Sequence, residues 1–402
     1  MNNFCLNCKK KINTVFLNLG KTPIANNFPK TKKKQKNYKL EALVCDNCFL
    51  VQVDPKCEPK DFFKDYSYQS GHSTTWIKHC KKLSSILIKK FKLNKKNTIL
   101  EIASNDGTQL DIFKKKGFKN LIGVDPSQNL SKLVKKKKIK VFTNFFSEKF
   151  SNTLLKKNIF PKMIIANNVI AHIPDINDFC KGISKLLQKS KGVASIEFHY
   201  LLELIKNNQF DSIYHEHHFY HSLYSLNHIL KKNNLKIFDF QKINTHGGSI
   251  RIFVCFDQNK KYKISQKVKN QINYEIQIGI NKIKFYKKFK IKIDKIRNKF
   301  KNNFSKLLKK YKNISGYGAA AKATTFLNFM KIKKNDLKCI YDKNPYKQGR
   351  FIPGSLTPIK SHEDIINDKP DAILILIWNL KTELKKQLNF TKKWKCKIIS
   401  SF

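Results

Sequence analysis

The sequence predicts an α/β protein in three parts: a small cysteine-clamped N-terminal domain, a central doubly wound sheet and a second α/β sheet at the C-terminus. A short apolar strand, a glycine-containing turn and a helix start occur twice, at 97–108 and again at 314–323. Each leads into a second strand that ends in an acid, Asp125 and Asp342, which is the pattern of ligand-binding α/β sheets. The N-terminus carries two Cys-x-x-Cys pairs. A chain of 402 residues exceeds the size at which one core stops growing. The expected boundaries are 1–62, 63–240 and 241–402.

Cys5-Leu-Asn-Cys8 and Cys45-Asp-Asn-Cys48 are separated by 36 residues. Two-residue spacing lets both sulfurs of each pair reach one tetrahedral zinc. Four thiolates close the coordination sphere, so the expected zinc is structural. Cys57 falls outside both pairs.

The formal charge is +53, which raises nucleic acid as a partner and, with the cysteines, a zinc-finger RNA-binding protein as an alternative class. The basic residues argue against it: of 81, only Arg251, Arg297 and Arg350 are arginines, and nucleic-acid readers favour arginine for bidentate contacts. A composition bias explains the lysines, and a surviving arginine marks a place where lysine does not serve. The N-terminus has no apolar signal region, and the longest apolar run, 372–378, is too short to span a bilayer. Ten cysteines without export imply reduced thiols, so the expectation is a cytoplasmic protein with neither membrane nor nucleic acid as partner. Monomer and homo-oligomer stay undecided.

In the central part, the strand Asn97-Thr-Ile-Leu-Glu-Ile-Ala103 runs into the turn Ser104-Asn105-Asp106-Gly107 and a helix. Asp125, followed by Pro126, is placed to take ribose hydroxyls. The glycine-rich phosphate fingerprint is absent, since only Gly107 sits in the turn. This disfavours a dinucleotide and favours a phosphate-free adenosyl ligand, which S-adenosylmethionine satisfies. The strand 162–167 puts Asn167 and Asn168 at its carboxyl end with His172 just beyond, where ligands of such sheets sit. The strand 192–198 continues the sheet.

Residues 210–222 read Phe-Asp-Ser-Ile-Tyr-His-Glu-His-His-Phe-Tyr-His-Ser and hold four of the 11 histidines. Such a cluster suits a tuned general base. It also suits a metal site, because His217 with His221, or His218 with His221, share a face on a helix. Packed structural histidines are the third reading. The stretch 262–313 is lysine-rich with apolar residues at helical spacing and predicts one long or two consecutive helices. Gly316 and Gly318 then open a turn that a phosphate can approach, and Arg251, after Gly247-Gly248-Ser249, is positioned to grip a diphosphate bidentately.

The ordered set Glu-Ile-Ala-Ser-Asn-Asp-Gly-Thr, Asn-Asn-Val-Ile-Ala-His-Ile-Pro-Asp, Tyr-His-Glu-His, His-Gly-Gly-Ser-Ile-Arg251, Gly-Tyr-Gly-Ala-Ala-Ala-Lys322 and Asp-Lys-Asn-Pro-Tyr-Lys-Gln-Gly-Arg350, behind the N-terminal cysteines, resembles the zinc-containing S-adenosylmethionine-dependent C-methyltransferases that act on nucleotide-linked keto-deoxysugars. Ala103, Ala320 and Ala323 depart from that pattern at turns where small residues recur. The resemblance implies a zinc domain, a class I methyltransferase domain and a second Rossmann-like domain. It implies methylation of a 4-keto-deoxysugar at C3 through an enolate, with His217 as base and Tyr214, Glu216, His172 and Tyr68 beside it. Ala103, Ser104, Asn105, Asp106, Gly107, Asp125, Pro126, Asn167 and Asn168 would hold S-adenosylmethionine. Ser249, Arg251, Tyr317, Lys322, Asn344 and Asn379 would hold the nucleotide-sugar. His218 and His221 have no role in this scheme.

Overall fold

The computed structural model describes residues 4–33, 35–54, 66 and 69–400. Cys57, Tyr68 and the expected boundary at 62/63 lie outside them. Among the described residues the apolar runs form sixteen strands: β1 (Thr14–Thr22), β2 (Tyr38–Val44), β3 (Val51–Val53), β4 (Ile99–Ile102), β5 (Leu121–Val124), β6 (Lys140–Phe142), β7 (Met163–Asn167), β8 (Val193–His199), β9 (Phe219–Tyr220), β10 (Leu235–Ile243), β11 (Ser249–Phe256), β12 (Ile314–Tyr317), β13 (Ile340–Asp342), β14 (Ile359–Ser361), β15 (Ala372–Ile375) and β16 (Lys397–Ser400).

The central sheet has the order β10-β11-β8-β7-β4-β5-β6. β4 to β8 pair in parallel, while β11 runs antiparallel between β8 and β10. β4, β5 and β11 are buried throughout, as strands covered on both faces must be. The expected 240/241 boundary falls inside β10, whose hairpin with β11 extends the central sheet; Ile250, Ile252 and Val254 of β11 pack into that sheet's core.

The C-terminal sheet, β14-β13-β12-β15-β16, is wholly parallel. Two consecutive helices, Gln266–Gln277 and Ile283–Lys310, bridge the two sheets. The longer one buries Tyr286, Phe289, Ile293 and Phe304 and turns its lysines outward, as an amphipathic stripe requires. Its apolar face joins Phe16 and Leu17 of β1 with Phe326 and Ile340 of the C-terminal module in one core, so the three parts share packing. No helix among the described residues is long and apolar enough to cross a membrane.

β9 completes the N-terminal sheet, with Val51 opposite Tyr220 and Gln52 opposite Phe219. The histidine-rich run is thereby pinned to the cysteine-bearing domain at one end, and an isolated bridge between Tyr200 and His221 ties it to the end of β8.

Candidate active site

Within residues 210–222 only Tyr214 and His217 are partly exposed; the other side chains are buried. The Tyr214 hydroxyl lies 2.9 Å from His217 Nε2, with ring centroids 4.1 Å apart. The His172 ring stands edge-on to His217 at 4.7 Å. Burial, reinforced by His172, holds the His217 imidazole well below its ordinary pKa, and burial pushes His172 down to about 4. Burial raises Tyr214 well above the usual phenol range. Two neutral imidazoles and a neutral phenol therefore meet at one opening. His215, His218 and His221 are each 1% exposed; His221 packs its ring on Phe198 and Phe219, and His215 edges against Tyr38. These are core residues, and among the described residues the cysteine quartet is the one cluster shaped to hold a metal. Glu216 takes the backbone N–H of Asn26 at 2.9 Å and its side-chain amide at 3.1 Å, both on Oε1. It ties the run to the N-terminal domain, where the sequence had suggested a sugar ligand.

The adenosyl-type turn is built by backbone that side chains rarely adopt: Ala103 (φ 55°), Asn105 (φ 51°) and Gly107 (φ 76°) are all left-handed. Asp125 accepts the Asn105 N–H at 2.8 Å and the Ser127 N–H at 2.9 Å, fixing the turn against the loop that begins at Pro126. Asp342 repeats this in the second module, accepting from Ala319 at 2.6 Å and Asn344 at 2.8 Å. Asn167, at the carboxyl end of β7, has both side-chain polar atoms enclosed and without a hydrogen-bond partner among the described residues, and so has the Ser104 hydroxyl. Asn168 (φ 53°) turns its N–H to the Glu197 carbonyl at 2.8 Å. Enclosed polar atoms without partners are costly, and an adenosyl ligand at these strand ends would satisfy them. A short segment roofs the turn: the N–H groups of Ser70 and Gly71 donate to Asn105 Oδ1 at 2.9 Å and Asp106 Oδ2 at 2.8 Å, and the His72 ring reaches Tyr346 of the C-terminal module.

Cys5 Sγ lies 3.5 Å from Cys48 Sγ, and Cys8 Sγ lies 3.6 Å from Cys45 Sγ, with all four sulfurs within 4.8 Å of one another. Tetrahedral zinc with bonds of about 2.3 Å sets its sulfurs about 3.8 Å apart, so the quartet fits that ion. Lys9 and Phe49 take left-handed φ directly after each pair, folding each knuckle back on itself.

Ser249 and Arg251 are corrections. Arg251 pairs across the sheet with Glu197 and contacts its Oε2 at 2.5 Å; it also reaches His79 Nε2 at 3.1 Å and Gln241 Oε1 at 3.2 Å. Its side chain is 3% exposed. The Ser249 hydroxyl donates to the Thr245 carbonyl at 3.1 Å. Both belong to the sheet interior, because β11 is a central strand and its inward side chains must find partners there. Burial opposes ionisation, but the His79 hydrogen bond and then the Arg251 guanidinium hold the Glu197 carboxyl below its ordinary range.

From the C-terminal module, Lys322 Nζ donates to Asn379 Oδ1 at 3.0 Å and lies 4.7 Å from the Trp378 ring centroid. Trp378 Nε1 donates to Asp211 Oδ2 at 2.7 Å, joining the second module to the start of the histidine run. Burial pushes Asp211 up to about 6. Tyr317 is 3% exposed with its phenol bonded to His362 Nδ1 at 3.0 Å, and Asn344 Oδ1 takes the Tyr346 N–H at 3.0 Å; both are committed to packing and turn closure. Sequence reasoning missed His199, Gln209, Asp211 and Trp378. Asp211 stands in the quoted run, while the others are isolated in sequence and carry no spacing signal.

A doubly wound sheet with a left-handed turn after β4 and an acid directly after β5 has the plan of a Rossmann-like methyltransferase. Three family models match consecutive stretches of the chain: a zinc binding domain at residues 5–63, a methyltransferase domain at 76–239 and a C-methyltransferase C-terminal domain at 244–402. The chain is an S-adenosylmethionine-dependent methyltransferase whose N-terminal part matches the zinc binding model and whose C-terminal part matches the C-methyltransferase model. It is 28% identical over 371 residues to C-methyltransferase NovU of Streptomyces niveus, covering 92% of this chain and 88% of that one. A methyltransferase from Clostridium acetobutylicum is 17% identical, with 45% of this chain and 92% of that chain covered at a TM-score of 0.37. Magnesium protoporphyrin IX methyltransferase from Synechocystis with bound S-adenosylhomocysteine gives 12%, 48%, 90% and 0.35.

Proposed function

We propose that this enzyme methylates a carbon, C3, of a nucleoside-diphosphate-linked 4-keto-deoxysugar. The observation that carries the reading is the Tyr214–His217 pair, the sole open part of an otherwise buried run. Carbon methylation needs a carbanion equivalent, and a ketone beside the carbon supplies one once a base removes the α-proton. A neutral imidazole at working pH has its lone pair available. His217 takes the proton, Tyr214 holds the ring, and His172, neutral, offers an N–H to the ketone oxygen as charge gathers there. Bound S-adenosylmethionine supplies an electrophilic methyl group. Residues 103–107, Asp125, Asn167 and Asn168 hold it, and Lys322 with Asn379 lies across the cleft where the nucleotide end of the acceptor fits.

Solvent-deuterium exchange tests the base step apart from transfer. With a thymidine-diphosphate-linked 4-keto-6-deoxyhexose and S-adenosylhomocysteine present, the wild type should exchange the C3 proton. His217→Ala should lose exchange and turnover by about 10²–10⁴-fold while still binding S-adenosylhomocysteine. Retained exchange in that variant overturns the base assignment, and methylation at another atom overturns the acceptor position.

A further inference from the structure

Gln209 is fully buried and its amide is fixed from both ends: Nε2 donates to the Gly247 carbonyl at 2.6 Å, and Oε1 lies 2.5 Å from His199 Nε2. A carbonyl only accepts, so the amide cannot reverse. Oε1 likewise only accepts, so His199 Nε2 must carry the proton. Gly247 seals the arrangement, since a Cβ there would lie 2.5 Å from the Trp378 ring and 3.0 Å from Gln209 Nε2. Burial, then Lys322, push the His199 ring down to about 3. The imidazole is neutral with its lone pair locked on Nδ1.

His199 ends β8 at the carboxyl edge of the sheet and keeps part of its surface open. Nδ1 has no hydrogen-bond partner among the described residues and is not one of the enclosed atoms. β7 and β8 are parallel neighbours, with Asn167 opposite Glu197, so His199 at the end of β8 and His172, just beyond β7 and edge-on to His217, lie at the same edge of the sheet. A locked, neutral acceptor there can be satisfied only by a donor. The keto end of the acceptor sugar has none, and its hydroxyls do.

We propose that His199 Nδ1 accepts a hydrogen bond from a hydroxyl of the acceptor sugar beside the reacting carbon, and that this residue sets the preference for a hydroxylated over a deoxygenated acceptor. This rests on the keto-sugar reading above. With C3 as the reacting carbon, the hydroxyl is the one on C2.

The test compares a thymidine-diphosphate-linked 4-keto-6-deoxyhexose with its 2-deoxy counterpart as probes. The wild type should favour the hydroxylated probe in kcat/KM by about tenfold. His199→Phe should abolish the preference without changing the affinity for S-adenosylhomocysteine, and His199→Asn, whose Oδ1 stands near the place of Nδ1, should restore part of it. Gln209→Leu keeps the ring but frees its tautomer and should narrow the preference; nitrogen NMR of labelled histidine should show the Nε2–H form in the wild type and a mixture in that variant. A wild type without preference, or a preference that survives in His199→Phe, overturns the assignment alone. A wild type that methylates neither probe overturns the proposed function and this inference with it.

Discussion

Arg251 and Glu197 face each other across adjacent antiparallel strands, 2.5 Å apart at their closest atoms and with side chains 3% and 0% exposed. The most suggestive arginine of the chain is thus a sheet residue, and it joins β11 and β8 to His79 of the helix Thr74–Phe91. Leaving one member of a buried pair alone costs more than the pair contributes. Arg251→Ala should lower unfolding stability by about 3–5 kcal/mol in denaturant titrations, and Arg251→Met combined with Glu197→Leu should recover most of it. A selective rise in sugar KM with unchanged stability would show instead that Arg251 meets the substrate.

Burial pushes His221 down to about 3. Above an ordinary histidine pKa of about 6.5 neither folded nor unfolded chain is protonated there; below it, the unfolded chain binds a proton that the folded one refuses. Stability assigned to this residue is therefore lost as pH falls from about 6.5 toward 3. The stability difference between the wild type and His221→Phe should shift against the wild type by about 1.4 kcal/mol per pH unit in that window, read from unfolding curves at pH 7, 6 and 5. A pH-independent difference would show that His221 takes up its proton as readily in the fold as in the unfolded chain.

The N-terminal domain that carries the cysteine quartet is joined to the histidine-rich run at two places, the β3–β9 pairing and the Asn26–Glu216 hydrogen bonds. Metal analysis should find one zinc per chain. Chelation, or Cys45→Ser, should remove it, lower Tm, and lower turnover more than S-adenosylhomocysteine affinity, because binding free energy of structural zinc is folding free energy. Full activity after complete zinc loss would break this link.

Gly71 lies so close to the adenosyl-type turn that a Cβ would sit 2.7 Å from Asp106 Oδ2 and 3.1 Å from Thr108 Oγ1. Gly71→Ala must lift the roof and lose hydrogen bonds of about 1 kcal/mol each. The expected result is an S-adenosylmethionine KM raised about tenfold with unfolding stability lowered by about 2 kcal/mol at most. An unaltered KM would mean that the roof does not bear on the donor site.

Much of this protein is written locally. The two strand–turn–acid units, the cysteine pairs and the Tyr214–His217 spacing depend on short-range geometry: a left-handed turn, a two-residue knuckle, a ring three residues from a phenol. Local sequence therefore specified the two strand–turn–helix modules and the cysteine knuckles, while Tyr214 and His217 were singled out by the resemblance of the run that holds them. It did not specify partners that meet across long separations. Arg251 looked like a phosphate ligand until strand order placed it against Glu197, and Glu216 looked like a sugar ligand until Asn26, 190 residues away, occupied it. Gln209, by contrast, carries no motif at all, and only packing against Gly247 makes it lock His199. Burial decides such cases, because an enclosed polar group must be paired by whatever the fold brings within reach, and that neighbour is set by the tertiary structure.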